Sequence, residues 1–358
     1  MKPTQILHEH GQSLWLDNIT RTMLDDGTLE RYVDELSITG LTSNPTIFEH
    51  AISEGHAYDD QLAEQKAAGA TAEDAFFELA IDDLRRAADL FEPIHERTDR
   101  LDGWVSLEVS PLLADDAEAT IRQAAELHAR AATRNILIKI PGTEAGLVAI
   151  EETIFAGIPV NVTLLFSREH YLAASEAYMR GVQRRIEAGL NPAVRSVASV
   201  FISRWDKAVI DRTPLELHGK LAIAIAQRTY EAYREMLDSE HWQRLWNDGA
   251  RPQRLLFAST GTKDPDASDV LYVESLVAPF TINTMPEPTL LAFAEHGKVG
   301  DPLPADGGDC EEVIARFGEL GIDVEELAAQ LQKDGAKSFV DSWTQLMDTI
   351  AREAQAAA

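Results

Sequence analysis

The sequence is short of cysteine and of basic residues. Its one cysteine, Cys310, excludes a disulfide within the chain and favours a reducing compartment. Lys and Arg number 32 against 60 Asp and Glu, which gives a formal net charge of −28. Nucleic acids and anionic membranes both require a basic binding surface, so we expect neither as a partner. A local basic pocket for a small anion is compatible with this balance.

Long apolar runs and common cofactor motifs are also missing. No apolar stretch approaches the roughly 20 residues of a membrane span. The opening MKPTQILHEHGQ lacks the apolar region of a secretion signal, so we expect a cytoplasmic protein. CxxC pairs and the HExxH, GxGxxG and P-loop patterns are absent. No motif therefore indicates a metal centre or a nucleotide-binding loop.

Short apolar segments, each typical of a buried strand, alternate with segments of helical spacing. They cover residues 13–19, 37–43, 104–110, 136–140, 159–166, 197–203, 254–260 and 280–285. The alternation predicts parallel strands joined by right-handed helical crossovers. Eight such strands without a glycine fingerprint favour a (β/α)8 barrel over an open nucleotide-binding sheet.

The helical segments predict one domain. The clearest covers 71–94, with Thr71 as the expected N-cap. Others cover 115–132, 143–155, 168–189 and 219–237, and from about Asp309 two or three acidic helices follow. We predict a single barrel over residues 1–358, with about 309–358 as a helical extension packed on it. In the last helix, Phe339 and Trp343 have the spacing of core contacts, and a lid over the barrel mouth is the alternative.

The segment ILIKIPG, residues 136–142, places Lys139 inside an otherwise apolar strand. Lysine is among the residues least often buried, because an unpaired charge is costly in low dielectric. Burial lowers the pKa of a lysine amine in general, and a neutral amine can attack a ketone or aldehyde to form a Schiff base. The alternative is an ion pair with a barrel carboxylate. The strand pattern by itself leaves both interpretations open.

Polar residues also lie near the carboxyl ends of other strands, where the active sites of (β/α)8 barrels are found. By strand alternation, Ser106, Glu108 and Ser110 share one face, and Asn161 and Thr163 share another. At or near the ends of four further strands lie Asp17, Asn44, Ser203 and Ser259. Each residue alone is typical of a turn, a cap or a well-fitting strand residue. Together with the lysine they predict an active site.

Seven segments, in order, resemble the transaldolase family in its longer bacterial form. They are GLTSNPTIFEHAI, VSLEVSP, ILIKIPGTEAGLVAI, VNVTLLFS, SVFISRWD, LLFASTGTKDP and TINTMPE, and the later KSFVDSWTQL resembles that family's last helix. The resemblance implies a barrel of class I aldolase type with no metal and no organic cofactor. It also implies sugar phosphate substrates. A dihydroxyacetone unit would pass from sedoheptulose 7-phosphate or fructose 6-phosphate to glyceraldehyde 3-phosphate or erythrose 4-phosphate, in the non-oxidative pentose phosphate pathway.

The same resemblance implies roles for individual residues. Lys139 matches the Schiff-base lysine, and Asp17 matches the acid/base of carbon–carbon cleavage. Glu108 with Thr163 matches the pair that positions a catalytic water. The side chains that match contacts to the three-carbon unit are Asn44, Asn161 and Ser203.

The phosphate site is less well specified. In STGTKDP, Ser259 and Lys263 could offer backbone N–H groups and an ammonium to a phosphate. A glycine turn with a solvated lysine explains the same residues slightly better. Shorter transaldolases carry an arginine five residues after the serine that matches Ser203, and Ala208 stands there in this chain. Arg204 is the nearby cation that we add as a candidate.

Two other functions stay open at this point. A related class I aldolase would release free dihydroxyacetone to water, and a non-catalytic scaffold barrel would have lost its lysine or its carboxylates. The presence of Asp17, Glu108 and Thr163 favours transfer. The sequence does not distinguish a monomer from a homodimer.

Overall fold

The computed structural model describes residues 1–356, and a sheet of eight parallel strands forms its centre. The strands are β1 (Ser13–Asp17), β2 (Ile38–Thr42), β3 (Val105–Glu108), β4 (Ile136–Pro141), β5 (Val160–Leu165), β6 (Ser196–Phe201), β7 (Gln253–Ala258) and β8 (Ile282–Met285). Their order is β2-β1-β8-β7-β6-β5-β4-β3. This arrangement confirms the predicted (β/α)8 fold.

The barrel closes between β2 and β3, and Gly40 makes this closure possible. Gly40 forms a parallel bridge with Trp104. A Cβ atom at position 40 would lie 2.7 Å from the Trp104 carbonyl oxygen and 2.7 Å from the Trp15 ring. Because these distances are below van der Waals contact, only glycine lets the two strands approach this closely.

Helices surround the barrel. They are α1 (Pro3–Glu9), α2 (Arg21–Asp25), α3 (Thr28–Leu36), α4 (Pro45–Ser53), α5 (Asp59–Ala67), α6 (Ala72–Arg97), α7 (Ala117–Ala131), α8 (Glu144–Ala156), α9 (Arg168–Glu187), α10 (Arg204–Val209), α11 (Leu221–Asp238), α12 (Glu240–Asn247), α13 (Leu271–Ser275), α14 (Glu287–His296), α15 (Cys310–Glu319) and α16 (Val324–Ala356). Short 3-10 turns cover Pro111–Leu113, Ile210–Arg212 and Leu215–Leu217. Within the described part of the chain, no helix is both long and apolar enough to span a membrane.

The strand and helix patterns have a common physical origin. The strands read as nearly continuous apolar runs because both their faces are buried, one in the barrel and one under the helices.

As predicted, Thr71 caps α6, and its Oγ1 accepts a hydrogen bond from the Asp74 N–H at 3.1 Å. The predicted strands 13–19 and 280–285 are longer than β1 and β8. Phe280 has φ 63° and belongs to the turn before β8.

The two C-terminal helices pack on the barrel. Arg228 of α11 holds α15 through Glu311, with Nε and Oε1 2.6 Å apart. The longer α16 crosses the carboxyl ends of the strands, where Gln332 Nε2 donates to the carbonyl oxygens of Gly142 (3.1 Å) and Leu164 (3.0 Å). The predicted extension therefore forms helices as far as residue 356, α16 crosses the barrel mouth near Gln332, and residues 357–358 lie outside the described residues. That the whole chain is one domain stays a prediction.

Candidate active site

A cleft with a volume of about 360 Å³ opens at the carboxyl ends of the strands. Among the residues that line it are Asp17, Asn44, Lys139, Thr163, Arg204, Ser259 and Lys263, all of which the sequence singled out. The wall also contains residues that the sequence did not single out, namely Thr42, Ser199, Phe201 and Thr284. Seven of the ten residues that the sequence singled out thus line one cleft, and the other three, Glu108, Asn161 and Ser203, are not part of its lining.

Lys139 lies at the inner end of this cleft and is 5% exposed. Its Nζ is 3.0 Å from Glu108 Oε2 and donates to the Ser43 carbonyl oxygen at 3.1 Å. Strand register explains these neighbours, because Glu108 on β3, Lys139 on β4 and Asn161 on β5 are directly paired. The structure therefore contains both features that the sequence left open, a buried amine and an ion pair with a carboxylate.

The two carboxyl groups near Lys139 are perturbed in the same direction. Burial is the main cause that raises the pKa of Asp17, and the charges of Lys139 and Lys263 oppose it. The Thr42 hydroxyl also opposes it, because it donates to Asp17 Oδ1 at 2.8 Å. Burial likewise raises the pKa of Glu108 against the influence of Lys139, and the Asp17 charge adds to the rise. Carboxyl groups whose pKa values are raised by burial are candidates for proton transfer.

Asn161 is fixed below the cleft by hydrogen bonds on both sides of its amide. Its Nδ2 donates to Ser106 Oγ at 3.1 Å, and its Oδ1 accepts from Ser199 Oγ at 2.7 Å. Asn161 itself is fully buried. These partners determine the orientation of the amide, which is a requirement for recognising a hydroxyl group by hydrogen bonding.

Thr163 differs from Asn161 because its buried hydroxyl has no hydrogen-bond partner among the described residues. It lines the cleft. Immediately after it, β5 shifts register between Val162 and Leu165, and Leu164 adopts φ 59°. Bulges of this kind redirect side chains next to active sites. The Thr163 hydroxyl is thus free to bond a substrate hydroxyl or a water.

Asn44 combines a structural and a potential binding role. It precedes α4 and caps it, because its Oδ1 accepts from the Ile47 N–H at 3.1 Å. The cap uses only the amide oxygen. The amide nitrogen makes no hydrogen bond with the described residues, and Asn44 lines the cleft, so this nitrogen can serve as a donor to a ligand.

The cations at the mouth differ in their surroundings. Arg204 is partly buried, burial lowers its pKa, and its guanidinium lies 5.1 Å from the centre of the Phe201 ring. It forms no ion pair or side-chain hydrogen bond with the described residues. Lys263 is exposed and also lines the cleft. Lys207 lines a neighbouring smaller cavity instead.

Ser203 does not line the cleft directly. It is fully buried, its Oγ lies 3.1 Å from Ser259 Oγ, and it borders the neighbouring cavity beside Asp206. Ser259 does line the cleft and has φ 56°. Any influence of Ser203 on a ligand would therefore pass through Ser259.

Phe339 and Trp343 of α16 turn out to have different positions. Trp343 is a core residue, with its ring 5.1 Å from that of Phe76. Phe339 lines the cleft, and its ring centre is 5.6 Å from Lys139 Nζ. Gly335, one turn earlier, lets the helix approach this closely, since a Cβ there would lie 3.0 Å from Leu164. Both residues are therefore part of the buried core, and Phe339 in addition covers the cleft.

The sequence predicts no metal ion for this protein. Within residues 1–356, no group of three or more His, Cys, Asp or Glu side chains is arranged to hold a metal ion. Cys310 lies at the start of α15 and is buried there.

Comparison with known proteins identifies relatives along almost the whole chain. The family model for transaldolase/fructose-6-phosphate aldolase matches residues 14–350. A transaldolase of Mycolicibacterium paratuberculosis is 43% identical over 353 residues, which cover 96% of this chain and 95% of the relative. A transaldolase of Kocuria rhizophila is 44% identical over 357 residues, 97% of each chain. The matched range includes the barrel and most of α16. The chain therefore belongs to the transaldolase/fructose-6-phosphate aldolase family.

Proposed function

We propose that this chain is a transaldolase, a transferase that forms a Schiff base on Lys139. It moves a dihydroxyacetone unit from a ketose phosphate to an aldose phosphate, as in the non-oxidative pentose phosphate pathway. The family match and the transaldolase relatives support the activity. The observation that supports the mechanism most strongly is the position of Lys139, which is 5% exposed at the inner end of a polar cleft.

Imine formation is the first chemical step. The Lys139 nitrogen attacks C2 of the ketose, and the carbinolamine loses water to give the imine. The amine must first lose a proton. Glu108 is placed to accept it, since its Oε2 lies 3.0 Å from Nζ and burial raises its pKa. We assign Glu108 and the free hydroxyl of Thr163 to holding the water that enters or leaves at this step.

Carbon–carbon cleavage follows. Asp17 takes the proton of the C4 hydroxyl, the C3–C4 bond breaks, and its electron pair passes into the imine to form an enamine. The first aldose phosphate leaves. The enamine then attacks the aldehyde carbon of the acceptor, Asp17 returns the proton to the new hydroxyl, and water hydrolyses the imine. Burial keeps the pKa of Asp17 raised, which suits a group that both accepts and returns a proton.

Binding is divided between the two ends of the cleft. At the inner end, Asn44 holds hydroxyl groups of the three-carbon unit from the cleft wall, Asn161 acts on the unit from below the cleft, and Ser203 acts on it through Ser259. At the outer end, Arg204 and Lys263 hold the phosphate, with Ser259 beside them. Arg204 is the stronger candidate because it is partly buried and has no carboxylate partner among the described residues.

Transfer is favoured over release of free dihydroxyacetone by the position of α16. Release requires water to reach the enamine and the imine in the absence of an acceptor. The Phe339 ring lies 5.6 Å from Lys139 Nζ and, together with the packing of Gly335 on Leu164, restricts water on that side of the amine. A scaffold function is disfavoured because the lysine and both carboxyl groups are present.

A product analysis tests this function. The chain is incubated with fructose 6-phosphate, with and without erythrose 4-phosphate. Transaldolase activity predicts sedoheptulose 7-phosphate and glyceraldehyde 3-phosphate in equal amounts, only when both substrates are present. Free dihydroxyacetone as the main product at an unchanged rate without the acceptor would assign the chain as an aldolase. The variant Lys139→Met, similar in length but without the amine, is the control for background reaction.

Two further predictions concern cellular location and assembly state rather than enzymatic activity. A cytoplasmic location and the choice between monomer and homodimer stay predictions from the sequence. Light scattering of the purified chain distinguishes the two assembly states.

A further inference from the structure

A second cavity lies at the opposite end of the barrel. Its volume is about 480 Å³. Four of its lining residues, Trp104, Arg134, Pro159 and Arg195, lie directly before or within two residues of the starts of β3, β4, β5 and β6. Strands of this length place the cavity roughly 15–20 Å from the catalytic cleft. It is therefore a separate feature of the fold.

The ionisable side chains of this cavity are unlike those of the chain as a whole. They are His95, Arg100, His128, Arg134, Arg185 and Arg195. Among the described residues, no Asp or Glu lines it. In a chain with 60 Asp and Glu against 32 Lys and Arg, an average surface would hold about two carboxylates for each cation. The selection of arginine here indicates a surface suited to an anion.

Nearby carboxylates neutralise only part of this charge. Arg134 pairs with Glu92 at 2.8 Å, and Asp99 lies 3.9 Å from both Arg195 and Arg251. Glu92, Glu96 and Asp99 border an adjoining hollow on the outer side. Four cavity arginines against these three carboxylates leave a surplus of one positive charge. Within residues 1–356, neither Arg100 nor Arg185 has a carboxylate at ion-pair distance.

The positive charges act on one another. Burial and the charge of Arg251 lower the pKa of Arg195 to about 10. Burial is also the largest cause that lowers the pKa of His95, and Arg100, Arg195 and Arg134 act in the same direction. A bound anion would relieve this repulsion.

Two of the arginines are fixed in position by backbone groups. Arg185 donates from Nε to the Asn191 carbonyl oxygen at 2.7 Å and from Nη1 to that of Phe155 at 2.6 Å. Arg195 donates to the Asp99 carbonyl oxygen. Next to it, Asp99 and Arg100 both adopt left-handed backbone conformations, with φ 50° and 64°, which are uncommon for residues other than glycine. Arginines held in this way need little ordering when a ligand binds.

We propose that this cavity is a second binding site, for a small organic phosphate. The phosphate binds Arg100 and Arg195, whose charges act on each other, and Arg185 lines the same cavity, because guanidinium groups donate charged hydrogen bonds to phosphate oxygens. The organic part contacts the apolar wall, formed by Ala129, Ala132, Pro159 and Val194. The cavity volume is within the usual range for small-molecule sites. This site does not depend on the function proposed for the cleft.

Calorimetric titration of the full chain with ADP and, separately, with pyrophosphate tests the proposal. ADP carries two phosphates and an aromatic base with apolar faces, whereas pyrophosphate carries the charge alone. We expect ADP to bind more tightly than pyrophosphate. The variants Arg100→Gln and Arg185→Gln should each weaken ADP binding by about tenfold or more, the effect of losing one charged hydrogen bond. Arg100 is exposed and its side chain makes no hydrogen bond with the described residues, so that variant should fold normally.

Matched controls locate the site. Arg122→Gln removes the same charge from an exposed position outside the cavity and should leave ADP binding unchanged. Arg204→Gln, which removes a cation of the catalytic cleft, should also bind ADP normally, and this result would separate the second site from the cleft. No heat of binding with either probe, or binding that Arg100→Gln and Arg185→Gln leave unchanged, would overturn the proposal. Equal affinity for ADP and pyrophosphate would overturn its apolar part.

Discussion

The two ends of the barrel both bury charge, and they do so differently. At the amino end, Asp102 accepts hydrogen bonds from Trp15 Nε1 (2.7 Å) and Thr39 Oγ1 (2.9 Å). Arg254 lies 3.9 Å from it and donates to Ser13 Oγ at 2.7 Å and to the Thr281 carbonyl oxygen at 2.9 Å. Both charged side chains are saturated with protein partners.

The carboxyl end leaves bonding capacity unused. Lys139 pairs with Glu108 at 3.0 Å, yet the buried Thr163 hydroxyl has no partner among the described residues. Burial raises the pKa values of Glu108 and Asp17. Buried charge whose partners are complete stabilises a structure, whereas buried charge with incomplete partners is available for a ligand or a proton. This difference makes the Asp102–Arg254 cluster inside the amino end structural and the Lys139 cleft at the carboxyl end chemical.

The largest effect is expected from Lys139→Ala at the chemical end. Without the amine no imine can form, so turnover should fall below detection while the chain stays folded. Initial rates with fructose 6-phosphate and erythrose 4-phosphate, together with circular dichroism, check both parts. Measurable turnover by the folded variant would exclude the imine mechanism.

Asp17→Asn separates catalysis from stability at the same end. Loss of the acid/base should lower turnover by about 10²–10⁴-fold, while the imine still forms. Because the pKa of Asp17 is higher in the folded than in the unfolded chain, wild-type stability falls as pH rises through that window. The variant should therefore be at least as stable as wild type at pH 7, by chemical denaturation. A variant whose imine cannot be trapped would contradict this division of roles.

Asp102→Ala should show the reverse pattern at the structural end. It leaves Trp15 Nε1, Thr39 Oγ1 and the Arg254 charge without their partner, so we expect the free energy of unfolding to fall by about 3–5 kcal/mol. Turnover per folded molecule should stay within about twofold of wild type, because these groups do not contact the cleft. Denaturant titration and assays at low temperature measure the two quantities. A large loss of turnover without loss of stability would remove the distinction between the ends.

The smallest effect is expected from Lys263→Ala. Lys263 is exposed, so its attraction to a phosphate is worth at most about 1 kcal/mol, which raises KM for phosphorylated substrates several-fold and leaves kcat unchanged. Steady-state kinetics measure KM and kcat, and Lys220→Ala serves as a control outside the cleft. An unchanged KM would make Lys263 a solvated lysine in a glycine turn.

The fold could be predicted because its strands are buried on both faces and so appear as short apolar runs. Only their ends were misplaced, as at Phe280, where a left-handed residue gives no compositional signal. Lys139 and Glu108 were identifiable because charge inside such a run requires an explanation. Strand alternation and the family resemblance supplied the remaining candidates.

Other parts of the site depend on contacts that the sequence does not reveal. The Ser43 carbonyl that binds Lys139 is a backbone group, common to every residue. Phe339 reaches the cleft from a helix about 200 residues from Lys139 in the chain, and its spacing also fitted a core position. Ser203 does not reach the cleft because Ser259 lies between them. Only the three-dimensional packing shows this arrangement.

Borohydride trapping tests the central claim most directly. The chain is incubated with fructose 6-phosphate, reduced with borohydride and analysed by intact mass and peptide mapping. The account predicts one reduced dihydroxyacetone adduct, on the peptide that contains Lys139, and its loss when erythrose 4-phosphate is added before the reduction. An adduct on another lysine, or none on the folded chain, would contradict it.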